Sequence, residues 1–187
     1  MPATITQSVL WKRNDRISLE HFQLQETPAG IRLSGTILTM EGTQPLRVEY
    51  TVQCDRGWAT RSVRVGCTCG AASSELELIV DDQKRWWRDG REIAAVAGCI
   101  DVDISLSPST NTLPIRRLAL ADGEGSDVVA AWIRFPDLVI ERLPQRYVRT
   151  GANRYRYASD GGAFTADIEV DELGLVVRYP PAWERVI

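Results

Sequence analysis

From Ser18 to Ile79 the chain repeats one pattern, short runs in which apolar and polar residues alternate, each ended by a turn-forming group. Ile31, Leu33, Gly35 and Ile37 alternate with Arg32, Ser34 and Thr36, and Leu46, Val48, Tyr50 and Val52, then Leu76, Leu78 and Val80, repeat the arrangement. A period of two sends successive side chains to opposite faces, so each run reads as a half-buried strand. The breaks fall at Pro28-Ala29-Gly30, Glu41-Gly42, Asp55-Arg56-Gly57 and Gly70-Ala71-Ala72. Their spacing, roughly ten to fifteen residues, is that of a chain of hairpins.

The meander resumes in the second half. Val128 to Phe135 reads as an apolar strand and Val139 to Arg149 as a long polar one. Ala163 to Val170 and Leu175 to Tyr179 form a last pair across the tight turn Asp171-Glu172-Leu173-Gly174. Trp86-Trp87-Arg88-Asp89-Gly90 reads as an aromatic strand entering a turn. The best helical candidate, Asp89 to Val96, is too short to stand alone, so helix content should be low. No linker, repeat or low-complexity stretch divides the sequence, and 187 residues fit a single all-β domain spanning residues 1–187.

Charged residues make up 25% of the chain and the net charge is −3, a balance with no general attraction for nucleic acid or anionic membranes. The N-terminus lacks a basic stretch followed by an apolar run, and no segment is apolar enough to cross a bilayer as a helix. These features predict a cytoplasmic protein. Cys54, Cys67, Cys69 and Cys99 contain no C-x-x-C pair and the single histidine, His21, is remote, so metal binding is not expected. Packing as small buried thiols in a reducing compartment is the better reading. His21 has no partners at a spacing that suggests a catalytic triad, and reads as a strand-end hydrogen bonder. No phosphate loop, dinucleotide fingerprint or cofactor motif is present.

The segment DVDISLSPSTNTLPIRRL, Asp101 to Leu118, is the densest in polar and rigid residues. It begins as a strand with Val102, Ile104 and Leu106 on one face and Asp101, Asp103, Ser105 and Ser107 on the other. It continues as a turn pinned by Pro108 and Pro114, with room for one helical turn, and ends in Arg116-Arg117. Arg61 shares parity with Val63, Val65 and Cys67, which points its guanidinium inward and calls for a carboxylate partner. Asp101 and Asp103, joined by Arg116 or Arg117, are the candidates, forming either a structural ion network or the polar floor of a pocket. Two carboxylates about 7 Å apart on one strand also have the separation glycoside hydrolysis uses, although neighbouring arginines would keep both ionised and leave no general acid. The run Gln145-Arg146-Tyr147-Val148-Arg149 with Arg154-Tyr155-Arg156-Tyr157 reads as a solvated strand face with tyrosines packed inward.

Several segments resemble the bacterial family of glycolipid-binding domains. They are Ser18 to His21, Tyr50-x-Val52, Asp55-x-x-Trp58-x-Thr60-Arg61, Cys99 to Leu118, Ala131-Trp132, Phe135-Pro136, Gln145-x-Tyr147-x-Arg149 and Val170-Asp171-x-x-Gly174-Leu175-Val176 before Tyr179-Pro180. The resemblance implies a spiral β-roll, a long, highly curved antiparallel sheet wrapped on itself, that holds a glycolipid or similar amphiphile without catalysis and without a cofactor. Under that resemblance Trp58, Arg61, Asp101, Asp103, Asn111, Arg116, Tyr147 and Arg149 would surround the ligand's head group. Two further readings compete with it. One is a hydrolase or isomerase acting on a sugar derivative through Asp101 and Asp103, and the other a scaffold presenting a β-edge to a protein partner.

Overall fold

The structure, a computed structural model, describes residues 5–187. Eight strands follow one another by hairpins: β1 (Ile5–Arg13), β2 (Ser18–Thr27), β3 (Gly30–Glu41), β4 (Gln44–Cys54), β5 (Thr60–Cys69), β6 (Ala72–Val80), β7 (Trp86–Arg88) and β8 (Arg91–Glu92). After a 3-10 turn at Ala94–Val96 the chain crosses to the far edge of the same sheet as β9 (Asp101–Ile104). A second 3-10 turn, Ser109–Asn111, leads into a helix, α1 (Thr112–Leu118). The return path is β10 (Gly125–Arg134), β11 (Val139–Gly151), β12 (Arg154–Ser159), β13 (Phe164–Val170), β14 (Val176–Tyr179) and β15 (Trp183–Arg185). Because β15 pairs with β1, the two ends of the described chain meet in the middle of one 15-stranded sheet, and its midpoint supplies both edges.

Helices hold 9% of residues and strands 62%, so the all-β expectation holds, and the sheet curls without closing into a barrel. One pairing departs from the antiparallel pattern: β9 runs parallel to β10, as a strand joined to its neighbour by a helical crossover must. The curl brings the β9 edge across the other half of the sheet. Thr60 N–H donates to the Ile100 carbonyl (3.1 Å), Val102 N–H to Thr60 Oγ1 (3.2 Å), and the Trp86 indole to the Cys99 carbonyl (2.9 Å). Inward residues of alternating strands, among them Phe22, Leu24, Leu33, Ile37, Val48, Val63 and Leu78, are fully enclosed and make the core. At the seam the Trp11 indole donates to the Val176 carbonyl (2.7 Å) while its ring packs on Phe22.

The proline-rich segment folds into more helix than a single turn. Pro114 is the third residue of α1, where no N–H partner is needed, and Ala119 ends the helix in the left-handed conformation (φ 46°). Leu113 and Ile115 are buried in the roll, while the last turn carries Arg116 and Arg117. Arg117 makes a two-point ion pair with the fully buried Asp101, Nε to Oδ1 at 3.0 Å and Nη2 to Oδ2 at 2.5 Å. This tie fixes α1 to β9.

Three turns share one construction. Asp55, Asp81 and Asp171 each accept two backbone N–H groups on Oδ1, from Gly57 and Ala59, Gln83 and Arg85, and Leu173 and Leu175. The fourth residue of each is left-handed, Trp58 at φ 67°, Lys84 at 61° and Gly174 at 78°. Each Oδ2 then receives an arginine, Arg61, Arg85 or Arg185. An aspartate side chain thus replaces the missing ladder bonds and holds the αL residue.

Arg61 belongs to the first of these turns and not to the interior. It bonds Asp55 (3.0 Å) and Asp82 (2.7 Å), away from Asp101 and Asp103, which corrects the network expected from strand parity. The cause is a bulge: Gln53 pairs with Ser62 and Cys54 with Thr60, so Arg61 is the extra residue and Thr60 takes the inward place. Arg117→Ala should therefore destabilise the fold by about 3–5 kcal/mol, since it strands a buried carboxylate. Arg61→Ala should cost less than about 1 kcal/mol, as expected for half-exposed pairs, and urea denaturation of the two variants measures the contrast.

Candidate ligand cleft

The second half of the sheet curls around a cleft of about 550 Å³. Its wall is aromatic. Trp132, Tyr157, Phe164, Tyr179 and Trp183, from five different strands, face it together with Leu143 and Pro144. The rings touch in sequence, with Tyr157–Phe164 centroids at 6.0 Å, Tyr157–Tyr179 at 5.9 Å and Tyr179–Trp183 at 5.0 Å. Antiparallel pairing accounts for the clustering, because inward positions of adjacent strands lie side by side. The polar part of the lining is Asp103, at the third position of β9 and paired beside Trp132 of β10, then Ser105, Ser107 and Asn111 on the segment leading to α1.

Asp103 is the charged group set deepest on this side. Gln145 donates from Nε2 to its Oδ2 (2.6 Å) and also to the Tyr157 hydroxyl (3.0 Å). The carboxyl keeps some exposure to the cleft but has protein elsewhere around it, and this loss of water pushes its pKa up to about 6, against the Gln145 hydrogen bond that lowers it. The same burial raises the phenols of Tyr147, Tyr157 and Tyr179, which stay neutral. At the rim Arg13 makes two bonds to Asp15 (2.7 and 2.6 Å) and stacks 4.2 Å from the Trp183 ring centre.

Behind the floor lies a buried network invisible to strand parity. Tyr50 OH and Ser107 Oγ both donate to Glu20 Oε1 (2.5 and 2.7 Å), and Ser109 Oγ lies 2.6 Å from the Tyr50 hydroxyl. Glu20 Oε2 is enclosed without a partner. Desolvation pushes Glu20 up to about 8, more than its two hydroxyl donors pull it down. Tyr50 reaches Glu20 across Gly35 of the intervening strand, where a Cβ would stand 2.5 Å from the Tyr50 Cζ. Ser107 joins this network to the cleft, since it lines one and bonds the other.

The eight residues singled out from the sequence are divided by the fold. Asp103 and Asn111 line the cleft, and Tyr147, fully buried, supports it by donating to Asn111 Oδ1 (2.8 Å). Asp101 is enclosed with Arg117 and has no face on the cleft. Arg116 lies over the Trp58 ring (5.1 Å) and 3.9 Å from Glu26, while Arg149 donates to the Leu120, Gly151 and Ala152 carbonyls. Arg116 and Arg149 instead border a smaller, more open groove of about 400 Å³. Arg61 lies with the Asp55 turn. The expected site residues included neither Gln145 nor Glu20, and named none of the five aromatics on the wall. His21, within β2 and not at its end, faces Ser8 Oγ at 3.0 Å. Among the described residues no three His, Cys, Asp or Glu side chains group to hold a metal, and no helix is long and apolar enough to cross a membrane.

Fold and cleft together define a class of all-β proteins built on a single curled sheet around a cleft lined by both aromatic and polar side chains. The chain belongs to the family described as "Putative glycolipid-binding", whose model matches residues 8–185. It is also similar to the crystal structure of a DUF1089 family protein from Pseudomonas aeruginosa, with 33% identity and a TM-score of 0.84 over 90% of this chain and 92% of that one. No curated protein matches it.

The buried Glu20 sets a pH dependence. Its carboxyl holds a proton in the folded state over a range where the unfolded chain, near 4.5, has lost it, so its contribution to stability is present at low pH and is lost as pH rises towards about 8. Glu20→Gln, which keeps an acceptor for Tyr50 and Ser107, should remove this loss and be more stable than the parent by roughly 2–4 kcal/mol at pH 8. Thermal denaturation of both proteins from acid to alkaline pH measures it, and parallel profiles would rule it out.

Proposed function

We propose that this protein binds a glycolipid or similar amphiphile in the cleft without chemically altering it. The observation that carries this reading is the cleft's mixed aromatic and polar lining. Trp132, Phe164, Tyr179 and Trp183 offer rings on which a sugar or an alkyl chain can lie, in the same cleft as Asp103, Ser105, Ser107 and Asn111, which can accept or donate hydrogen bonds to hydroxyls. A volume of about 550 Å³ suits one sugar ring with the first part of a chain. The family description points the same way.

The alternative of a sugar hydrolase or isomerase acting through Asp101 and Asp103 finds less support. Asp101 is sealed behind Arg117, so the two carboxylates do not flank a common substrate. Contrary to the expectation that arginines would keep both carboxylates ionised, among the described residues no arginine bonds Asp103, and burial raises its pKa to about 6. A cytoplasmic setting is part of the proposal and is supported by four free thiols, three of them buried.

Titration with octyl glucoside below its micelle concentration, followed by tryptophan fluorescence, tests the reading, since Trp132 and Trp183 lie on the wall. A saturable change is expected. Phe164 is 40% exposed, so Phe164→Ala should leave stability nearly intact and weaken binding by about tenfold. Native mass spectrometry of the protein from its own host should show a stoichiometric amphiphile. No saturable signal together with an empty native protein would reject the proposal.

A further inference from the structure

We infer that the cleft selects a ligand carrying a positively charged nitrogen, an ammonium group of an amino sugar or of an amine lipid head, seated at Asp103 beside the aromatic wall. The inference rests on the amphiphile reading of the cleft and names what that amphiphile must carry.

The charge balance of the lining is its first support. Four carboxylates, Asp15, Asp103, Glu141 and Asp160, face two guanidiniums, Arg13 and Arg142. Arg13 is already neutralised by Asp15, and Glu141 faces Arg134 at 3.5 Å. Arg142 turns Nη1 to the Ala97 carbonyl (2.8 Å). Asp103 is left with one neutral donor, Gln145, on one of its oxygens and no basic side chain in contact among the described residues. A carboxylate largely withdrawn from water and given no countercharge is costly, and a cationic ligand group relieves that cost where a neutral hydroxyl does so only in part.

The second support is the wall. Aromatic faces carry negative quadrupole density and attract cations at about 4–6 Å, most strongly when water is excluded. The wall already holds one cation this way, the Arg13 guanidinium at 4.2 Å from the Trp183 ring. Tyr157 and Tyr179 stand beside Asp103 with their centroids 5.9 Å apart, and each phenol is held neutral by burial and by the nearby Asp103 charge. A carboxylate set beside neutral rings is an arrangement suited to an ammonium group and poorly suited to a phosphate or carboxylate.

Calorimetric titration with four probes tests this: octyl glucoside, octyl glucosaminide, the N-acetylated glucosaminide, and octylammonium. The glucosaminide should bind about tenfold more tightly than either neutral glycoside, and Asp103→Asn should bring that ratio to about one, whatever the variant does to the affinity for the neutral glycosides themselves. Octylammonium binding as well as the glucosaminide would assign the group to an amine lipid, and weaker binding would assign it to an amino sugar. If all three glycosides bind equally, the inference falls and the amphiphile reading stands. If no probe binds, the inference falls, and the amphiphile reading falls with it if the native protein is also empty. Should Asp103→Asn fail to fold, the comparison of glucosaminide with its N-acetyl form on the unaltered protein decides alone, because acetylation removes the charge from the ligand side.

Discussion

A sheet that curls without closing is not held by its own ladder, because its two edge strands have no neighbour to complete the ring. Here the curl is held by β9 and α1. The parallel pairing of β9 with β10 fastens it to one half of the sheet, and the bonds between Thr60 and the backbone at Ile100 and Val102 fasten it to the other. Asp101 and Arg117 then lock the helix to the strand in an enclosed ion pair. The same segment supplies Asp103, Ser105, Ser107 and Asn111 to the cleft, so the element that sets the curvature also sets the position of the polar floor. A shift in one would move the other.

Burial divides the acidic residues of this region into three kinds. Asp101 keeps its charge company with Arg117, and Glu20 is surrounded by hydroxyls and has one oxygen with no partner. Asp103 alone is both desolvated and open to the cleft. Such a group stores unfavourable solvation that a ligand of the right charge can release, whereas the other two have no ligand to exchange with. The link from Glu20 through Ser107 to the cleft ties the first half of the sheet to the floor built by the second.

The strands β2 to β6 and their breaks were legible because part of each alternates in burial and a turn group stands at its end. The seam was not. β15 is only three residues long, too short to show a period, and β1 went unread with it. Arg61 was assigned to the wrong face because parity assumes an unbroken ladder, and one bulged residue reverses it. The polar segment was recognised as special, and four of its members, Asp103, Ser105, Ser107 and Asn111, line the cleft, two of which, Asp103 and Asn111, were among the expected site residues. The rest of the expected set was scattered because residues close in sequence around a helix leave it in different directions: Arg117 turns to Asp101, Arg116 to Trp58.

The sequence by itself determined that the chain would be built of short paired strands, where most of them turn, and that Asp101 to Leu118 would be an unusual polar insertion among them. Only the tertiary structure decided which polar groups meet the aromatic ones. Periodicity fixes the face of a strand on which a side chain lies, since that is a property of neighbouring residues. Which faces come together depends on how the whole sheet curls, and that is set by contacts such as Trp11 to Val176 and Ser107 to Glu20, made between residues far apart in the chain.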